Sequence, residues 1–220
     1  MAESSDLIYE VAPARVGEPP HPAAILLHGR GANERDLLSL ATQVDPRLTV
    51  VAPRAPYPLG PDAYHWYDLE AAIQGRPSSQ TLERAVALVM RLVDRVETDH
   101  GLDGKKLFVG GFSMGAAVAG AAILFHPQRF GGAALLSGSL PLHSELPNRE
   151  GLLTALPVFQ AHGLYDGVIP VQYARISRDF LQSVGADLTY REYPIGHEVG
   201  AEELNDLVSW QASVLDRSGS

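Results

Sequence analysis

The sequence predicts an α/β fold with a mainly parallel central sheet and helices on both faces. Short apolar runs alternate along the chain with longer segments of helical periodicity. The central runs AAILL, LFVGG and AALLS are continuously apolar, as expected of parallel strands that helices cover on both sides. Such a chain connects its strands through right-handed crossovers.

Seven short apolar runs are the candidate strands of this sheet. In chain order they are Leu7–Val11, Ala23–Leu27, Thr49–Ala52, Leu107–Val109, Ala133–Leu136, Val158–Gln160 and Leu188–Tyr193.

One strong helix is predicted over roughly Leu82 to Glu97. Its apolar residues recur at i, i+3, i+4 and i+7 and therefore share one face. Ser78 or Ser79 can cap its start, and Gly101 lies just past its end. Two further helices are predicted over Ala116–Phe125 and Glu202–Leu215.

Length and composition favour one globular domain over residues 1–220, since no internal repeat and no Gly/Ser linker divides the chain. The net charge of −9 and the lack of any basic cluster argue against a nucleic-acid partner. Cysteine is absent, which excludes a disulfide framework, a thiolate nucleophile and a cysteine-rich zinc site.

The first residues, MAESSDLIYEV, lack the basic start and apolar run of a secretory signal. The longest apolar stretch, Gly115–Phe125, is far shorter than the roughly 20 residues of a membrane span. We therefore expect a cytoplasmic protein without stable membrane insertion.

The segment Gly111-Phe112-Ser113-Met114-Gly115 matches G-x-S-x-G, the nucleophile elbow. Alone the pattern is weak, but here LFV precedes it and AAVAGAAILF follows it, which supplies the strand, turn and helix that the motif requires. A serine on such a turn is exposed at a helix N-terminus, where backbone N–H groups favour a developing anion. Ser113 is therefore the candidate nucleophile.

A serine hydroxyl needs a base, which in this architecture is a histidine that follows the acid in the chain. His197 stands in YPIGHE, on a loop between the last predicted strand and the last helix, where it can lean over the C-terminal edge of the sheet. Three other histidines follow Ser113 in less suitable places. His126 stands at a helix end before proline, and His143 lies in an irregular loop. His162 lies too close to the acid, so a structural role is expected for it.

The candidate acid that orients this base is Asp166. It lies in AHGLYDG, directly after an apolar strand and between glycines that permit a sharp loop. Two competitors are Asp179, within a predicted amphipathic helix, and Asp187, in a turn where solvated aspartates are common.

An oxyanion hole needs two N–H donors aimed at one oxygen. One is expected from the backbone of Met114, the residue after the nucleophile, and the other from the loop after an early strand. LLHGRG fits that place, and we assign the backbone N–H of Arg30. The role of the Arg30 side chain has two alternatives: it binds an anionic substrate, or it pairs with Glu34 or Asp36.

Five segments together resemble the carboxylesterase/phospholipase family that includes acyl-protein thioesterases, in the same order and across nearly the whole chain. They are LLHGRGANERDLLSLA, RAPYPLGPDAYHWYDL, GGFSMGAAVA, HGLYDGVIP and YPIGHEVGAEELNDLVSW. The resemblance implies an α/β-hydrolase fold without a large cap domain, with Ser113, Asp166 and His197 as the triad. It implies hydrolysis of carboxylic or thioester bonds. HEVGA does not match the zinc motif H-E-x-x-H, so we expect no metal site, and we expect no cofactor. Members sometimes pair near the active site, which raises a homodimer as an option.

The irregular stretch Pro53–Pro77 is expected to set substrate preference, since loops of this length inside a compact domain are usually functional. Trp66, Tyr67 and Leu69 are the candidate substrate-binding residues there. Trp66 has a second interpretation of equal weight, as a core aromatic residue that anchors the loop.

These observations predict a serine carboxylic-ester hydrolase that acts on short- to medium-chain acyl esters through an acyl-enzyme on Ser113. Thioesters and lysophospholipids are further candidate substrates. The alternative is a non-catalytic small-molecule receptor on a hydrolase scaffold, because a fold alone does not establish a function.

Overall fold

A computed structural model of the chain describes residues 6–67, 79–140 and 150–217. Its strands are β1 (Tyr9–Ala12), β2 (Ala23–Leu27), β3 (Thr49–Pro53), β4 (Tyr57–Gly60), β5 (Ala63–His65), β6 (Leu107–Phe112), β7 (Gly132–Leu136), β8 (Pro157–Gly163) and β9 (Asp187–Tyr193). Its α-helices are α1 (Glu34–Leu38), α2 (Ser79–His100), α3 (Met114–Phe125), α4 (Val171–Ser183) and α5 (Ala201–Arg217).

Seven strands form the main sheet in the order β1-β3-β2-β6-β7-β8-β9. Only β1 runs antiparallel to its neighbour; the other described pairs are parallel. The chain lays β3 on one side of β2 and then crosses to place β6 on the other. The loops after β2 and β6 therefore leave the sheet side by side at a topological switch point, where open α/β sheets bind ligands.

Helices cover both faces of this sheet, and the core is divided accordingly. The larger cluster of buried side chains joins α2 and α3 to one face, and a second cluster joins α5 to the other. Helix α3 is buried from Met114 to Leu124, which its small side chains allow because they let it pack closely against its neighbours. The fold class predicted from the sequence is confirmed.

All seven predicted strands are present, with ends that differ by a few residues. The hairpin β4–β5 was not predicted, because its strands are very short and one contains proline and glycine. The predicted cap Ser78 lies outside the described residues, and α2 begins at Ser79. No helix among the described residues is long and apolar enough to span a bilayer.

Candidate active site

Ser113 is the single residue between the end of β6 and the start of α3. Its backbone lies at φ 56° and ψ −116°, a conformation that side-chain-bearing residues adopt rarely. The strain is held in place because the Ser113 N–H donates to the Leu136 carbonyl at 2.9 Å, and because α3 is packed on all sides. The result is the tight strand-to-helix turn that G-x-S-x-G predicts.

Two glycines of the motif are required by space. A Cβ on Gly111 would lie 2.6 Å from the Gly115 carbonyl oxygen and 2.8 Å from the Ala116 nitrogen. A Cβ on Gly115 would overlap the Leu27 carbonyl oxygen and lie 2.7 Å from that of His28. No larger side chain fits at either position while strand and helix keep this distance.

Three side chains from separate parts of the chain form one hydrogen-bonded series at the sheet's C-terminal edge. His197 Nε2 lies 2.9 Å from Ser113 Oγ, although 84 residues separate them. His197 Nδ1 lies 2.7 Å from Asp166 Oδ2. The Phe112 ring packs against the His197 imidazole, with ring centroids 4.8 Å apart. The structure thus brings together the nucleophile, base and acid predicted from the sequence.

Asp166 is held on both carboxylate oxygens. Oδ1 accepts the backbone N–H groups of Val168 and Ile169, each at 2.8 Å, while Oδ2 accepts from His197. Burial raises the pKa of Asp166, but the hydrogen bonds from His197, Ile169 and Val168 outweigh it and keep the pKa below its ordinary value. An ionised carboxylate only accepts, so the His197 Nδ1 carries the proton and, in the neutral ring, Nε2 faces Ser113 as an acceptor.

The competing residues lie elsewhere. His162 is fully buried, and its Nε2 donates to the Ile169 carbonyl at 2.8 Å while lying 3.2 Å from Asp166 Oδ2. This is the structural role expected for it. His126 follows the last residue of α3 and caps it through its backbone, and His143 lies outside the described residues. Asp179 and Asp187 form exposed ion pairs with arginines.

The two expected oxyanion donors lie at the expected loops. Met114 opens α3, and Arg30 follows β2 by three residues. The backbone N–H groups of both have no hydrogen-bond acceptor within the part of the chain that the structure describes, whereas the next loop N–H, that of Gly31, donates to Tyr64 at 2.8 Å. Two N–H groups are therefore free to bind an oxygen.

The Arg30 side chain is exposed and forms no ion pair with a described residue. Its expected partner Glu34 is taken by Arg54 instead, through two hydrogen bonds of 2.6 and 2.7 Å. The structure pairs Arg30 with neither Glu34 nor Asp36, so the prediction of an ion pair is wrong, and anion binding by Arg30 stays a prediction.

Of the three candidate substrate-binding residues, two are buried in the core and are therefore poorly placed to line a substrate groove. Trp66 is fully buried and Tyr67 is 4% exposed, both within the larger core cluster. Burial raises the pKa of the Tyr67 hydroxyl. Trp66 thus fits its second interpretation, a core aromatic residue that anchors the loop. Leu69 lies outside the described residues.

One residue of this region was missed by the sequence analysis. His28 follows β2 directly, is 1% exposed and makes hydrogen bonds with both ring nitrogens. A histidine before glycine at a strand end is the only local signal of it. No group of three or more potential metal ligands was found among the described residues.

The family described as Phospholipase/Carboxylesterase matches residues 11–214. A probable carboxylesterase of Oryza sativa subsp. japonica is 32% identical over 70% of this chain and 59% of that protein, so the match spans less than two thirds of that relative. A probable inactive carboxylesterase of the same plant is 30% identical over 94% of this chain and 90% of that protein.

Acyl-protein thioesterase 1 of Yarrowia lipolytica is 29% identical over 87% of this chain and 96% of that protein. Among solved structures, a carboxylesterase from Mesorhizobium loti superposes with a TM-score of 0.83 at 24% identity, covering 96% of this chain and 97% of that one. The structural likeness shows a shared fold.

Proposed function

The chain belongs to the phospholipase/carboxylesterase family, and we propose that it hydrolyses carboxylic esters through an acyl-enzyme formed on Ser113. The observation that carries this proposal is the continuous hydrogen-bonded series from Ser113 through His197 to Asp166. Nucleophile, base and orienting acid are the set that acyl transfer to a serine requires.

In the first half of the proposed reaction, Ser113 Oγ attacks the ester carbonyl carbon while His197 Nε2 takes the hydroxyl proton. Asp166 holds the imidazole and stabilises the imidazolium that forms. The Met114 and Arg30 N–H groups bind the oxyanion. When the tetrahedral intermediate collapses, the C–O bond to the alcohol breaks and His197 returns the proton to the leaving oxygen.

In the second half, a water molecule attacks the acyl-enzyme carbonyl, with His197 as its base. The Ser113 ester bond breaks, the acid leaves, and the serine regains its proton from His197. His197 thus receives and returns each proton that is transferred, the first from Ser113 and the second from the water molecule.

The test is turnover of p-nitrophenyl esters by the wild type and by Ser113→Ala. We expect a loss of several orders of magnitude, because the nucleophile is absent. Ser209→Ala, which removes an exposed hydroxyl on α5, is the matched control and should retain full activity. Unchanged turnover in Ser113→Ala would exclude the mechanism.

The non-catalytic receptor remains the second candidate, because one relative that covers most of this chain is called inactive. The intact series of hydrogen bonds argues against it, since a binding site has no need of the base. Labelling by a fluorophosphonate probe separates the two: an enzyme is labelled at Ser113, and a receptor stays unlabelled.

For substrates we propose short- to medium-chain acyl esters, with thioesters and lysophospholipids as further candidates and Leu69 as a predicted lining residue. The family description and the thioesterase name of one relative support the ester, phospholipid and thioester classes, and the acyl-chain length is a prediction from the sequence. An activity panel of p-nitrophenyl esters from acetate to palmitate, matched thioesters and a lysophosphatidylcholine tests them. We expect the highest kcat/KM at or below octanoate; a maximum at palmitate would contradict the proposal.

The single domain over residues 1–220, the cytoplasmic location and the homodimer stay predictions. Limited proteolysis, cell fractionation and light scattering coupled to gel filtration test them in turn.

A further inference from the structure

The imidazole of His28 bonds to two backbone groups that determine its protonation. Nδ1 lies 2.7 Å from the carbonyl oxygen of Gly29, which can only accept. Nε2 lies 3.0 Å from the backbone N–H of Ala55, which can only donate. The ring is therefore neutral, with its proton on Nδ1. Burial lowers the pKa of His28, in agreement with a neutral ring.

The Gly29 carbonyl that accepts this bond belongs to the same peptide group as the Arg30 N–H. A peptide unit is planar and trans, so its carbonyl and its N–H point in opposite directions. The same carbonyl also accepts the Ala32 N–H, at 3.3 Å. The shorter bond from His28 helps to fix the direction of the Gly29 carbonyl and therefore that of the Arg30 N–H as well. A hydrogen bond to the carbonyl also polarises the peptide and makes its N–H a better donor.

Trp66 connects this loop to the residue that carries the second donor. Its indole N–H donates to the His28 carbonyl at 2.8 Å, and its backbone N–H lies 3.4 Å from the Met114 sulfur. The Trp66 and His28 rings also pack together, with centroids 5.5 Å apart. Trp66, which is fully buried, thus touches both His28, two residues before the loop donor Arg30, and Met114 itself.

We propose that His28 and Trp66 are positioning residues that hold the Arg30 and Met114 N–H groups at the spacing and direction needed to bind the oxyanion. This inference rests on the proposed esterase function. Both residues are buried in the protein. They act by preorganisation, which gives fixed donors their advantage over water because no reorientation is needed as charge develops.

Two substitutions of His28 separate its two hydrogen bonds. His28→Asn places an amide near the position of Nδ1 and can keep the bond to Gly29, whereas His28→Gln places its amide near Nε2 and can keep only the bond from Ala55. We expect kcat to fall about 100-fold in His28→Gln and less than about tenfold in His28→Asn, since removal of an oxyanion donor lowers kcat by about 10²–10³. KM should change less than about threefold, because the interaction develops in the transition state.

Trp66→Phe removes the indole N–H while it keeps an aromatic ring and the backbone N–H that faces Met114. We expect a fall in kcat of about tenfold, with KM nearly unchanged. Thermal unfolding of each variant shows whether it is folded. If His28→Gln does not fold, His28→Asn and Trp66→Phe decide the question by the same measurements.

The readout that a merely structural role would not change is the affinity for a short alkylboronic acid, which forms a tetrahedral adduct on a serine nucleophile. Its inhibition constant should rise in proportion to the loss in kcat/KM across the variants, because both measure oxyanion binding. The inference is overturned if folded His28→Gln and Trp66→Phe keep kcat within about twofold, or if they lose kcat with unchanged boronate affinity. A wild type that hydrolyses no ester and takes no fluorophosphonate label would instead refute the proposed function.

Discussion

Glu34 and Arg54 form a bidentate ion pair in which the Glu34 side chain is 3% exposed. The pair joins the first turn of α1 to the residue after β3. The hydrogen bond from Arg54 keeps the pKa of Glu34 below its ordinary value of 4.5. Because the Glu34 carboxylate is buried, its charge is stable there only while it is paired with the Arg54 guanidinium.

Replacement of Arg54 by Met should destabilise the protein by about 3–5 kcal/mol at pH 7, because it leaves the Glu34 carboxylate buried and unpaired. The pair stabilises the fold above the ordinary Glu34 pKa and loses this effect as the pH falls through the lowered value. The deficit of the variant, measured by urea unfolding, should therefore shrink in acid. Arg35→Met breaks an ion pair whose side chains are 57% and 72% exposed, and should have an effect of less than about 1 kcal/mol. Equal effects of the two substitutions would contradict this reasoning.

Since Arg54 occupies Glu34, the exposed Arg30 guanidinium is available to an anionic substrate. Arg30→Gln should lower kcat/KM for an ester with a carboxylate on its acyl chain about fivefold at low salt, since two unit charges about 4 Å apart in water attract by about 1 kcal/mol. The same substitution should leave a neutral ester of equal length unaffected, and 1 M salt should abolish the difference. Arg35→Gln is the control. Parallel losses for both esters would assign Arg30 a different role.

Glu203 is fully buried in the first turn of α5. One of its oxygens accepts the Gly200 N–H at 3.2 Å, and the other has no partner in the described part of the chain. Burial raises its pKa to about 7. Between the ordinary value of 4.5 and 7 the folded state binds more protons than the unfolded state, so stability falls as the pH rises through that range.

Glu203→Gln should remove this pH dependence and make the protein more stable than the wild type above pH 7, by at most about 3 kcal/mol. The two proteins should unfold alike near pH 4.5. Thermal unfolding at pH 4.5 and at pH 8 measures the difference in stability. Glu202→Gln, at the exposed neighbouring residue, is the control. A variant that is less stable than the wild type at pH 8 would show that the carboxylate has a partner that the amide cannot replace.

The parts of this molecule that sequence predicts well are those with local signals. The strand Ala23–Leu27 is found at its predicted ends, because a continuously apolar run between polar segments is a local pattern. Ser113, Asp166 and His197 could be named because each follows a strand, and parallel strands end at one edge of the sheet.

The residues that sequence did not predict depend on distant partners. His28 takes its role from Ala55 and Trp66, which lie 27 and 38 residues away, and no local pattern shows these contacts. Likewise, Glu34 forms its ion pair with Arg54 and not with Arg30 because of how α1 packs beside β3. Burial of Trp66 is a property of the assembled core and not of its aromatic side chain alone.

Asp166→Asn should lower kcat about 10⁴-fold while the protein stays folded. An amide that donates toward His197 favours the ring with its proton on Nε2, and this ring cannot accept the Ser113 proton. The Val168 and Ile169 N–H groups can still bind the amide oxygen, so the loop keeps its shape. Steady-state rates with p-nitrophenyl butyrate measure the loss, and Asp179→Asn, an exposed carboxylate on α4, is the control. A loss of less than tenfold would show that Asp166 does not orient the base.

Gly115→Ala sets two effects of opposite sign against each other. Alanine in a helix is about 1 kcal/mol more favourable than glycine, which predicts stabilisation. The added Cβ, however, would lie 2.5 Å from the Leu27 carbonyl carbon and 2.7 Å from the His28 oxygen, both of them backbone atoms that cannot move aside alone. Overpacking of this kind destabilises by about 1–3 kcal/mol or more, and here it acts on strand and helix together.

The contacts to backbone atoms favour the upper end of this cost, so we expect a net loss of about 2 kcal/mol, seen as a fall in Tm of about 4–8 °C for a chain of this size. Turnover of the folded variant should fall as well, because His28, whose carbonyl would be displaced, directly precedes the proposed oxyanion loop. Gly60→Ala is the matched control: a Cβ there has no heavy atom within 4 Å, and its Tm and turnover should match the wild type. A Gly115→Ala protein as stable and active as the wild type would mean that α3 can move away from β2, and that the spacing between Ser113 and the loop after β2 is not fixed by this contact.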